Sequence, residues 1–420
     1  MDRFAQRLAA ARTTAEQLPI DEINLFDLNL WREGVVYPYF ERLRRDDPVH
    51  KHPSHQHADG AFWSVTRFDD IVAIDTDHET FSSEPTITIE DPSEDFDMPM
   101  FIAMDPPRHD EQRKAVSPIV SPINLANLEP LIRTRIQNTL DALPIGTPFD
   151  WVDRVSIELT SQMLATLFDF PFEDRRKLTY WSDISTTSKD AGLLDPDNFD
   201  AEYIAIMTEC AEYFATLWNH RVNAPPKNDL ISMLAHSPAT RDMDPQTFLG
   251  NIVLLIVGGN DTTRNSMTGS VVAMDRYPAQ LEKLKADRSL LPSMVSETIR
   301  WQTPLAYMRR TAKRDVEFRG KLISKGDKVL MWYLSGNRDE RVIEDPDNYI
   351  IYRQRPRHHL SFGFGIHRCV GNRLAELQLK ILWEEILDRF PEIEVLDLTR
   401  VPSAFIHGYS KLEVLIPRRT

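Results

Sequence analysis

The stretch Phe362–Gly371 has the sequence FGFGIHRCVG and decides which fold this chain is predicted to adopt. It contains Cys369, one of only two cysteines in 420 residues, and glycines stand on both sides of that thiol. The apolar-rich segment Leu374–Phe390 follows directly and predicts a helix. A thiolate held in a glycine-rich loop just before a helix is stabilised by backbone N–H groups and by the helix dipole. The pattern therefore indicates a metal-binding cysteine.

The kind of metal site is limited by what surrounds this cysteine. A single thiolate, with no second cysteine and no His-x-x-x-His spacing nearby, cannot build a tetrahedral zinc site. It can supply the single protein ligand of a haem iron. A dinucleotide-binding glycine motif is excluded because Arg368 stands at the third glycine position. The simplest alternative is that Cys369 is a small buried apolar residue, as most free cysteines are.

The overall composition is that of a soluble globular enzyme, with 42% hydrophobic and 27% charged residues. The formal charge of −15 argues against a general nucleic-acid-binding protein, which needs a basic surface. The second cysteine, Cys210, lies far from Cys369 in sequence, so we predict no disulfide framework and expect the reducing cytoplasm as the compartment. Residues 1–18 contain no apolar run long enough to act as a secretion signal or a membrane span, so we expect neither.

Two segments in the first third of the chain carry candidate functional residues. The proline- and acid-rich stretch 86–103 predicts a long ordered loop, and loops of this length in compact domains are commonly lids or binding loops. Helical spacing then places His109 and Arg113 one turn apart, just after an Asp-Pro-Pro sequence. Two donor groups so arranged suit a carboxylate, which an arginine can bind through two hydrogen bonds.

A long helix is predicted over residues 244–275, with Asp244 as its N-cap and a proline directly after it. The centre of this segment, Gly258–Thr263, has the sequence GGNDTT, where a buried helix would favour alanine and leucine. Each glycine costs up to about 1 kcal/mol in a helix, so the pair indicates a bend or a close approach to a ligand. The alternative is a helix break with a new cap at Asp261.

Taken in order along the chain, these motifs resemble those of the cytochrome P450 family. The aromatic, glycine, basic, cysteine and glycine positions of the family's haem-binding signature correspond to Phe362, Gly365, His367, Cys369 and Gly371. The sequences Asp-Pro-Pro-x-His, Gly-Gly-x-Asp-Thr, Glu-x-x-Arg and Asn-Arg-Asp precede that signature in the family's order. The resemblance therefore extends over nearly the whole chain.

The resemblance implies a mainly α fold, a triangular helical domain with small β-sheets that forms a single unit over residues 1–420. Within it, the implied segments are an N-terminal extension (1–35), a substrate-access loop (86–103), a long distal helix (244–275), and the cysteine loop with its following helix (361–390).

The resemblance also implies a cofactor and a role for individual residues. The cofactor would be haem b, held noncovalently because the chain has no Cys-x-x-Cys-His sequence. Cys369 would ligate the iron, Asp261 would deliver protons, and Thr262 would hydrogen-bond the reacting dioxygen. The residues expected to hold the haem and its propionates are His109, Arg113, Arg310, Phe362 and His367. A buried ion network supporting the cysteine loop would consist of Glu297, Arg300 and Arg353.

The residues of the cysteine stretch and of the segment GGNDTTRNS resemble a narrower group within the family, the bacterial alkane-hydroxylating P450s. This implies a monooxygenase that inserts one oxygen atom of O2 into the terminal methyl group of medium-chain alkanes or similar apolar chains. The residues expected to contact the substrate are Phe101, Ile102, Leu254, Leu255, Val257, Gly258, Leu305, Met308, Phe405 and Ile406. The alternatives are a hydroxylase of terpenoid, steroid or fatty-acid substrates, and a noncatalytic haem-thiolate binding protein.

Electrons are expected to come from another protein, because these 420 residues show no flavin or nicotinamide domain. The resemblance implies a ferredoxin with its ferredoxin reductase as donors, and a monomeric enzyme. The basic residues expected to receive an acidic ferredoxin on the thiolate side are Arg113, Lys114, Arg368 and Arg373. On an acidic protein, such a basic surface would make docking depend on ionic strength.

Overall fold

Helices form most of the structure, and the mainly α class predicted from the sequence is confirmed. The computed structural model describes residues 3–55, 60–92 and 96–420, so residues 93–95 of the predicted access loop lie outside the described part. The α-helices of the described residues are α1 (Arg3–Gln17), α2 (Leu28–Glu33), α3 (Tyr37–Asp46), α4 (Phe68–Thr76), α5 (Arg108–Val116), α6 (Pro122–Asp141), α7 (Glu158–Phe168), α8 (Arg176–Ser185), α9 (Phe199–Val222), α10 (Leu230–His236), α11 (Pro245–Arg276), α12 (Pro278–Ala286), α13 (Leu291–Gln302), α14 (Tyr333–Gly336) and α15 (Asn372–Arg389).

The strands of the described residues form three small sheets. The strands are β1 (Val49–His55), β2 (Gly60–Val65), β3 (Phe81–Ser82), β4 (Phe149–Asp150), β5 (Met308–Ala312), β6 (Val316–Phe318), β7 (Lys321–Ile323), β8 (Lys328–Met331), β9 (Glu394–Arg400) and β10 (Tyr409–Leu415). The largest sheet has the order β1-β2-β8-β5-β3, and its β2–β8 pair is parallel. The other sheets have the orders β4-β10-β9 and β6-β7.

The long helix α11 begins where the sequence predicts. Asp244 caps it by accepting hydrogen bonds from the N–H groups of Gln246 and Thr247, and Pro245 occupies the first helical position. With 32 residues, α11 is about 48 Å long, and it packs on α7, α8, α13 and α15. The helix that carries the predicted catalytic residues is therefore held in the middle of the fold.

The glycine pair at the centre of α11 does not interrupt the helix, so the alternative of a break with a new cap at Asp261 is wrong. The two glycines serve different purposes. A Cβ on Gly259 would lie 2.6 Å from Leu164 Cδ2, so this glycine lets α7 pack closely. A Cβ on Gly258 would meet no atom within 4 Å, so α11 borders open space at that position.

The predicted N-terminal extension, residues 1–35, packs into the fold where it is described. Helix α1 lies against α3, and Trp31 and Val35 are buried in one cluster with Phe62 and Trp332. This cluster joins the N-terminal helices to the five-stranded sheet. Among the described helices, none is long and apolar enough to cross a lipid bilayer.

Candidate active site

The cysteine loop, residues 361–371, is shaped by one hydrogen bond and two glycines. The Cys369 N–H donates to the carbonyl oxygen of Phe362 at 2.8 Å. Gly363 and Gly365 have φ angles of +64° and +65°, which side chains other than glycine rarely adopt. A Cβ on Gly365 would lie 2.6 Å from the carbonyl oxygen of Asp75, so α4 packs directly on the loop. The glycines therefore allow both the turn and this close approach.

The Cys369 thiol is accessible, although protein atoms surround it closely. Burial raises the pKa of this thiol, while the backbone N–H groups of Gly371 and Asn372 and the charges of Arg113 and Arg368 lower it. The start of α15 thus favours the thiolate, as the sequence predicts, but the cost of burial is larger. A metal ion that coordinates a thiol removes its proton outright, which offsets that cost.

Glu297, Arg300 and Arg353 meet in one buried ion network. Glu297 accepts hydrogen bonds from Arg300 Nε at 2.7 Å and Nη2 at 2.8 Å, and from Arg353 Nε at 2.9 Å. The N–H of Ile350 donates a further bond at 2.8 Å. The carboxylate is fully buried, so these donors compensate a charge that water does not reach.

Asn337 connects this network to the cysteine loop. Arg300 Nη1 donates to the Asn337 carbonyl oxygen at 2.8 Å, and Asn337 Nδ2 donates to Ser361 Oγ at 2.9 Å. The Asn337 Oδ1 atom accepts from the N–H of Leu360 at 2.6 Å. The Asn-Arg-Asp sequence marked this position, but the sequence did not show that its first residue links the ion network to the loop.

The four charged or histidine residues predicted to hold propionates come from three elements and lie together. The rings of His109 on α5 and His367 in the cysteine loop have centroids 4.1 Å apart. Burial, with the charges of Arg310 and Arg113, lowers the pKa of His367 to about 2, and burial also lowers the pKa of His109. Both imidazoles are therefore neutral at neutral pH, and the two arginines supply the positive charge.

This cluster contains buried polar atoms for which the described residues offer no hydrogen-bond partner. They are Nε2 of His109 and both ring nitrogens of His367. Buried polar groups normally have partners, and carboxylates would accept bonds from these rings and from the arginines. A planar ligand that carries carboxylates and a metal ion bound by Cys369 fits this donor set, and a haem has that chemistry. In the described part of the chain, no group of three or more His, Cys, Asp or Glu side chains is arranged to hold a metal ion.

Asp261 and Thr262 are neighbours at the centre of α11, but their side chains have different partners. Thr262 Oγ1 donates to the carbonyl oxygen of Gly258 at 3.0 Å. The donors to the buried Asp261 carboxylate are Ser182 Oγ, Asn260 Nδ2 and Arg264 Nη2, at 3.2, 3.0 and 2.7 Å. The structure therefore directs the two predicted catalytic side chains to different partners, and these two described residues form no hydrogen bond with each other.

The environment of Asp261 makes its carboxyl group a weak acid. Burial raises the pKa of Asp261 to about 6; the charge of Arg264 opposes this shift and the charge of Asp183 adds to it. Arg264 Nη2 bridges both acids, because it also donates to Asp183 Oδ1 at 2.7 Å. An acid with a pKa near 6 can both hold and release a proton near neutral pH. The sequence did not identify the roles of Arg264 and Asp183. Asp183 lies on α8, about 80 residues before Arg264 in the chain, and only the fold brings the two side chains together.

Six of the ten predicted substrate residues lie along α11 and the end of the access loop. Phe101 is buried in the main helical core, and Ile102 follows it in the same turn. Three residues of α11 pack against this core while remaining partly exposed: Leu254, Leu255 and Val257. With Gly258, they present an apolar face of the helix beside open space.

The other four predicted substrate residues come from the chain after α13. Leu305 pairs with Ile406 in an isolated β-bridge, so these two are brought together. Phe405 packs against Tyr307, with ring centroids 5.3 Å apart. Met308 packs against the core of the five-stranded sheet instead of the helical core that holds the α11 residues.

Both ends of the access loop are fastened to the rest of the protein. At its start, the N–H of Arg309 donates to the carbonyl oxygen of Ile87 at 2.8 Å, and Arg309 Nη1 donates to Asp91 at 2.6 Å. At its end, the N–H of Phe101 donates to Asn251 Oδ1 of α11 at 2.9 Å. The sequence indicated the loop but did not identify these anchoring side chains.

Known proteins resemble this chain over nearly its full length. The cytochrome P450 family profile matches residues 70–416. Linalool 8-monooxygenase of Pseudomonas putida is 33% identical over 406 residues, which are 93% of this chain and 98% of that protein. A methyl-branched lipid omega-hydroxylase of Mycobacterium tuberculosis is 31% identical over 421 residues, 96% of each chain. The solved structure of CYP153D17 from Sphingomonas sp. PAMC 26605 is 46% identical, with a TM-score of 0.89, covering 95% of this chain and 100% of that one.

Cytochrome P450-153 from Novosphingobium aromaticivorans is also 46% identical to this chain in its solved structure. The TM-score is 0.86, and the match covers 94% of this chain and 99% of that one. The residues that carry the motifs described above therefore sit in a fold shared with these proteins.

Proposed function

The chain belongs to the cytochrome P450 family, and we propose that it hydroxylates the terminal methyl group of medium-chain alkanes and similar apolar chains to primary alcohols. Family membership makes it a haem-thiolate monooxygenase. The observation that supports the substrate class is the apolar face of α11 beside Gly258, formed by Leu254, Leu255 and Val257. One relative is named for omega-hydroxylation of a lipid, which is oxidation at the end of a chain.

In this proposal the cofactor is haem b, held without a covalent bond. Cys369 would ligate the iron, and Phe362 would pack beside it. The N–H donors for the propionates would come from His109, Arg113, Arg310 and His367. When bound, the haem supplies the dioxygen chemistry, in which two electrons and two protons are consumed, one oxygen atom enters the C–H bond and the other leaves as water.

The protons for this reaction would pass through residues of α11. Asp261, with its pKa raised to about 6, can take up a proton from the side of α8, where Ser182 Oγ touches its carboxylate. Thr262 would orient the reacting dioxygen through its hydroxyl group. Because Leu254, Leu255 and Val257 on the apolar face of α11 carry no proton donors, Asp261 and Thr262 would be the proton carriers of this part of the helix.

Apolar contacts suffice to bind such a substrate. Burial contributes about 0.8 kcal/mol per methylene, so a chain of about eight carbons gains roughly 6 kcal/mol before the cost of ordering it. Attack on the terminal carbon then depends on geometry, since each tenfold preference requires about 1.4 kcal/mol of discrimination.

A reduced-CO difference spectrum followed by product analysis over an alkane series tests the proposal. We expect the haem-thiolate band, and primary alcohols as the main products from medium-chain alkanes. The second candidate is a terpenoid hydroxylase, which the relationship to linalool 8-monooxygenase favours. Tighter binding and faster, better coupled oxidation of linalool than of octane would replace the alkane assignment with that candidate.

Replacing Leu305 by alanine should increase the share of subterminal alcohols. The Leu305–Ile406 bridge brings two apolar side chains together, and removing one of them widens the space beside the chain end. A loss of about 1.4 kcal/mol of discrimination would change the product ratio about tenfold. Product ratios by gas chromatography measure this, with the surface variant Leu322→Ala as the matched control. An unchanged ratio in Leu305→Ala would remove Leu305 from the pocket.

We further propose that the enzyme works in the cytoplasm as a monomer and accepts electrons from an acidic ferredoxin. Arg373 and Arg368 are exposed beside the cysteine loop, whereas Arg113 turns inward and donates to the Arg368 carbonyl oxygen. Arg357 and Arg368, with Arg373, also surround Glu376, so basic residues are concentrated on this side. The surface can therefore attract an acidic partner in spite of the net charge.

Replacing Arg373 by glutamate should raise the KM for ferredoxin several-fold and reduce its dependence on salt. Reversing one charge at an interface rim changes mainly the association rate. Steady-state turnover against ferredoxin concentration at two ionic strengths measures this effect. The charge-matched control is Arg241→Glu, at an exposed position in the turn between α10 and α11. Wild-type turnover that does not respond to salt would contradict the electrostatic docking.

A further inference from the structure

We propose that Asp75 of α4 is a positioning residue, which ties Arg310 to the cysteine loop and holds the haem's reduction potential low. Asp75 is 2% exposed. Its Oδ1 atom accepts a hydrogen bond from Arg310 Nη2 at 2.7 Å. Its Oδ2 atom accepts from the N–H of Phe364 at 2.8 Å and from Tyr333 Oη at 2.9 Å. One buried carboxylate thus connects Arg310, which is predicted to bind a haem propionate, to the backbone of the cysteine loop.

The position of Asp75 in α4 argues against a role in the helix itself. Asp75 is the penultimate residue of α4, where the helix dipole disfavours a negative charge. A buried carboxylate at a helix C-terminus therefore costs stability unless other groups compensate for it. Here Arg310, Tyr333 and Phe364 provide that compensation, and all three lie far away in sequence.

The packing around Asp75 shows that the cysteine loop is fitted to it. A Cβ on Gly363 would lie 3.3 Å from Asp75 Oδ2, and a Cβ on Gly365 would lie 2.6 Å from its carbonyl oxygen. Two glycines of the cysteine stretch therefore leave room for this residue. A shift of Asp75 would move the loop at Phe364, five residues before Cys369.

The charge of Asp75 is what links it to electron transfer. Arg310 is also buried, and Asp75 is its ion-pair partner. Next to a haem, the positive charge of Arg310 would be partly offset by the Asp75 carboxylate, so the positive potential at the iron would be smaller than with an arginine that binds the propionate alone. Because reduction adds an electron, a nearby buried negative charge opposes it, and its removal favours the reduced form.

The reduction potential of the haem-loaded protein tests this role. For Asp75→Asn we expect the potential to rise, with about a tenfold shift towards the ferrous form, equal to about 59 mV for a one-electron couple. For Tyr333→Phe we expect a smaller shift in the opposite direction, because the carboxylate keeps its charge but loses one donor. A role limited to stability would give no such pair of opposite shifts.

The matched control is Asp70→Asn on the same helix. Asp70 is also buried and accepts a hydrogen bond from Arg319 Nε at 2.6 Å, but Arg319 is largely exposed. This variant should lower the melting temperature and leave the potential unchanged. If Asp75→Asn fails to retain haem while Asp70→Asn retains it, the positioning role is supported, and Tyr333→Phe then tests the electrostatic one.

Two results would overturn the inference. One is an unchanged potential in both site variants, and the other is a shift of the same sign in both. The inference rests on the haem-thiolate assignment and is independent of the alkane substrate. A wild-type protein without the haem-thiolate band would refute the proposed function itself, whereas a normal wild-type spectrum with an invariant potential would refute only the role of Asp75.

Discussion

Replacing Glu297 by glutamine should destabilise the protein by about 3–5 kcal/mol, because it removes one partner of a buried ion network. Glu297 is fully buried and receives bonds from Arg300 and Arg353. The glutamine amide would direct an N–H group at guanidinium donors and leave the buried Arg300 and the part-buried Arg353 without their counter-charge. Since whole domains are stable by only about 5–15 kcal/mol, the variant should populate unfolded protein.

Denaturant titration and haem content measure this effect. The network reaches the cysteine loop through Asn337 and Ser361, so we expect the variant to lose the haem-thiolate band as well as stability. The matched control is Glu384→Gln, which removes the partner of Arg133 in a part-exposed pair at 2.6 Å. That change should cost less than about 1 kcal/mol. Equal losses in the two variants would contradict a special role for the buried network.

Replacing Asp261 by asparagine should lower the rate of product formation about 100-fold or more, because positioned proton donors typically contribute factors of that size. Asparagine keeps the size of the side chain, and its single carbonyl oxygen can still accept from Arg264 while its Nδ2 faces the Ser182 hydroxyl, but it cannot carry a proton. Electrons would then be diverted to hydrogen peroxide. Product yield per electron consumed and peroxide release measure the result.

The pH dependence provides a second measurement of the same residue. The pKa of Asp261, raised to about 6, means that its protonated fraction falls about tenfold per pH unit above that value. Coupling in the wild type should therefore decline as pH rises through about 6, and this dependence should disappear in Asp261→Asn. Asp275→Asn, at another acid of α11 whose pKa is raised, is the matched control. A variant that keeps both rate and coupling would exclude Asp261 from proton delivery.

The same raised pKa has a consequence for stability. Asp261 binds its proton more tightly in the folded protein than in the unfolded chain, so it stabilises the fold most at low pH. That contribution is lost as pH rises from about 4 to about 6, and above this range the carboxylate is a net cost.

Local signals accounted for much of the fold and site. Asp244 and Pro245 marked the start of α11, and the spacing of Phe362–Gly371 indicated the cysteine loop before α15. The Glu-x-x-Arg pair lies on one face of a single helix, which is why its contact could be predicted. The glycine pair was harder to interpret, because Gly259 makes room for Leu164, which lies on another helix.

The sequence alone was enough to predict a single cysteine in a glycine-bent loop, a long helix with an acid and a threonine at its centre, and the family to which the chain belongs. Each of those signals is confined to a few turns of chain, where helix and turn geometry fixes which neighbouring residues meet. The tertiary structure alone decided that Arg264 would bridge Asp261 and Asp183, and that Asp75 would hold Arg310, Tyr333 and Phe364 across separations of 235, 258 and 289 residues. The physical reason is that a carboxylate can pair with any of the chain's many arginines and amides, and only packing brings one of them within reach after the water is removed.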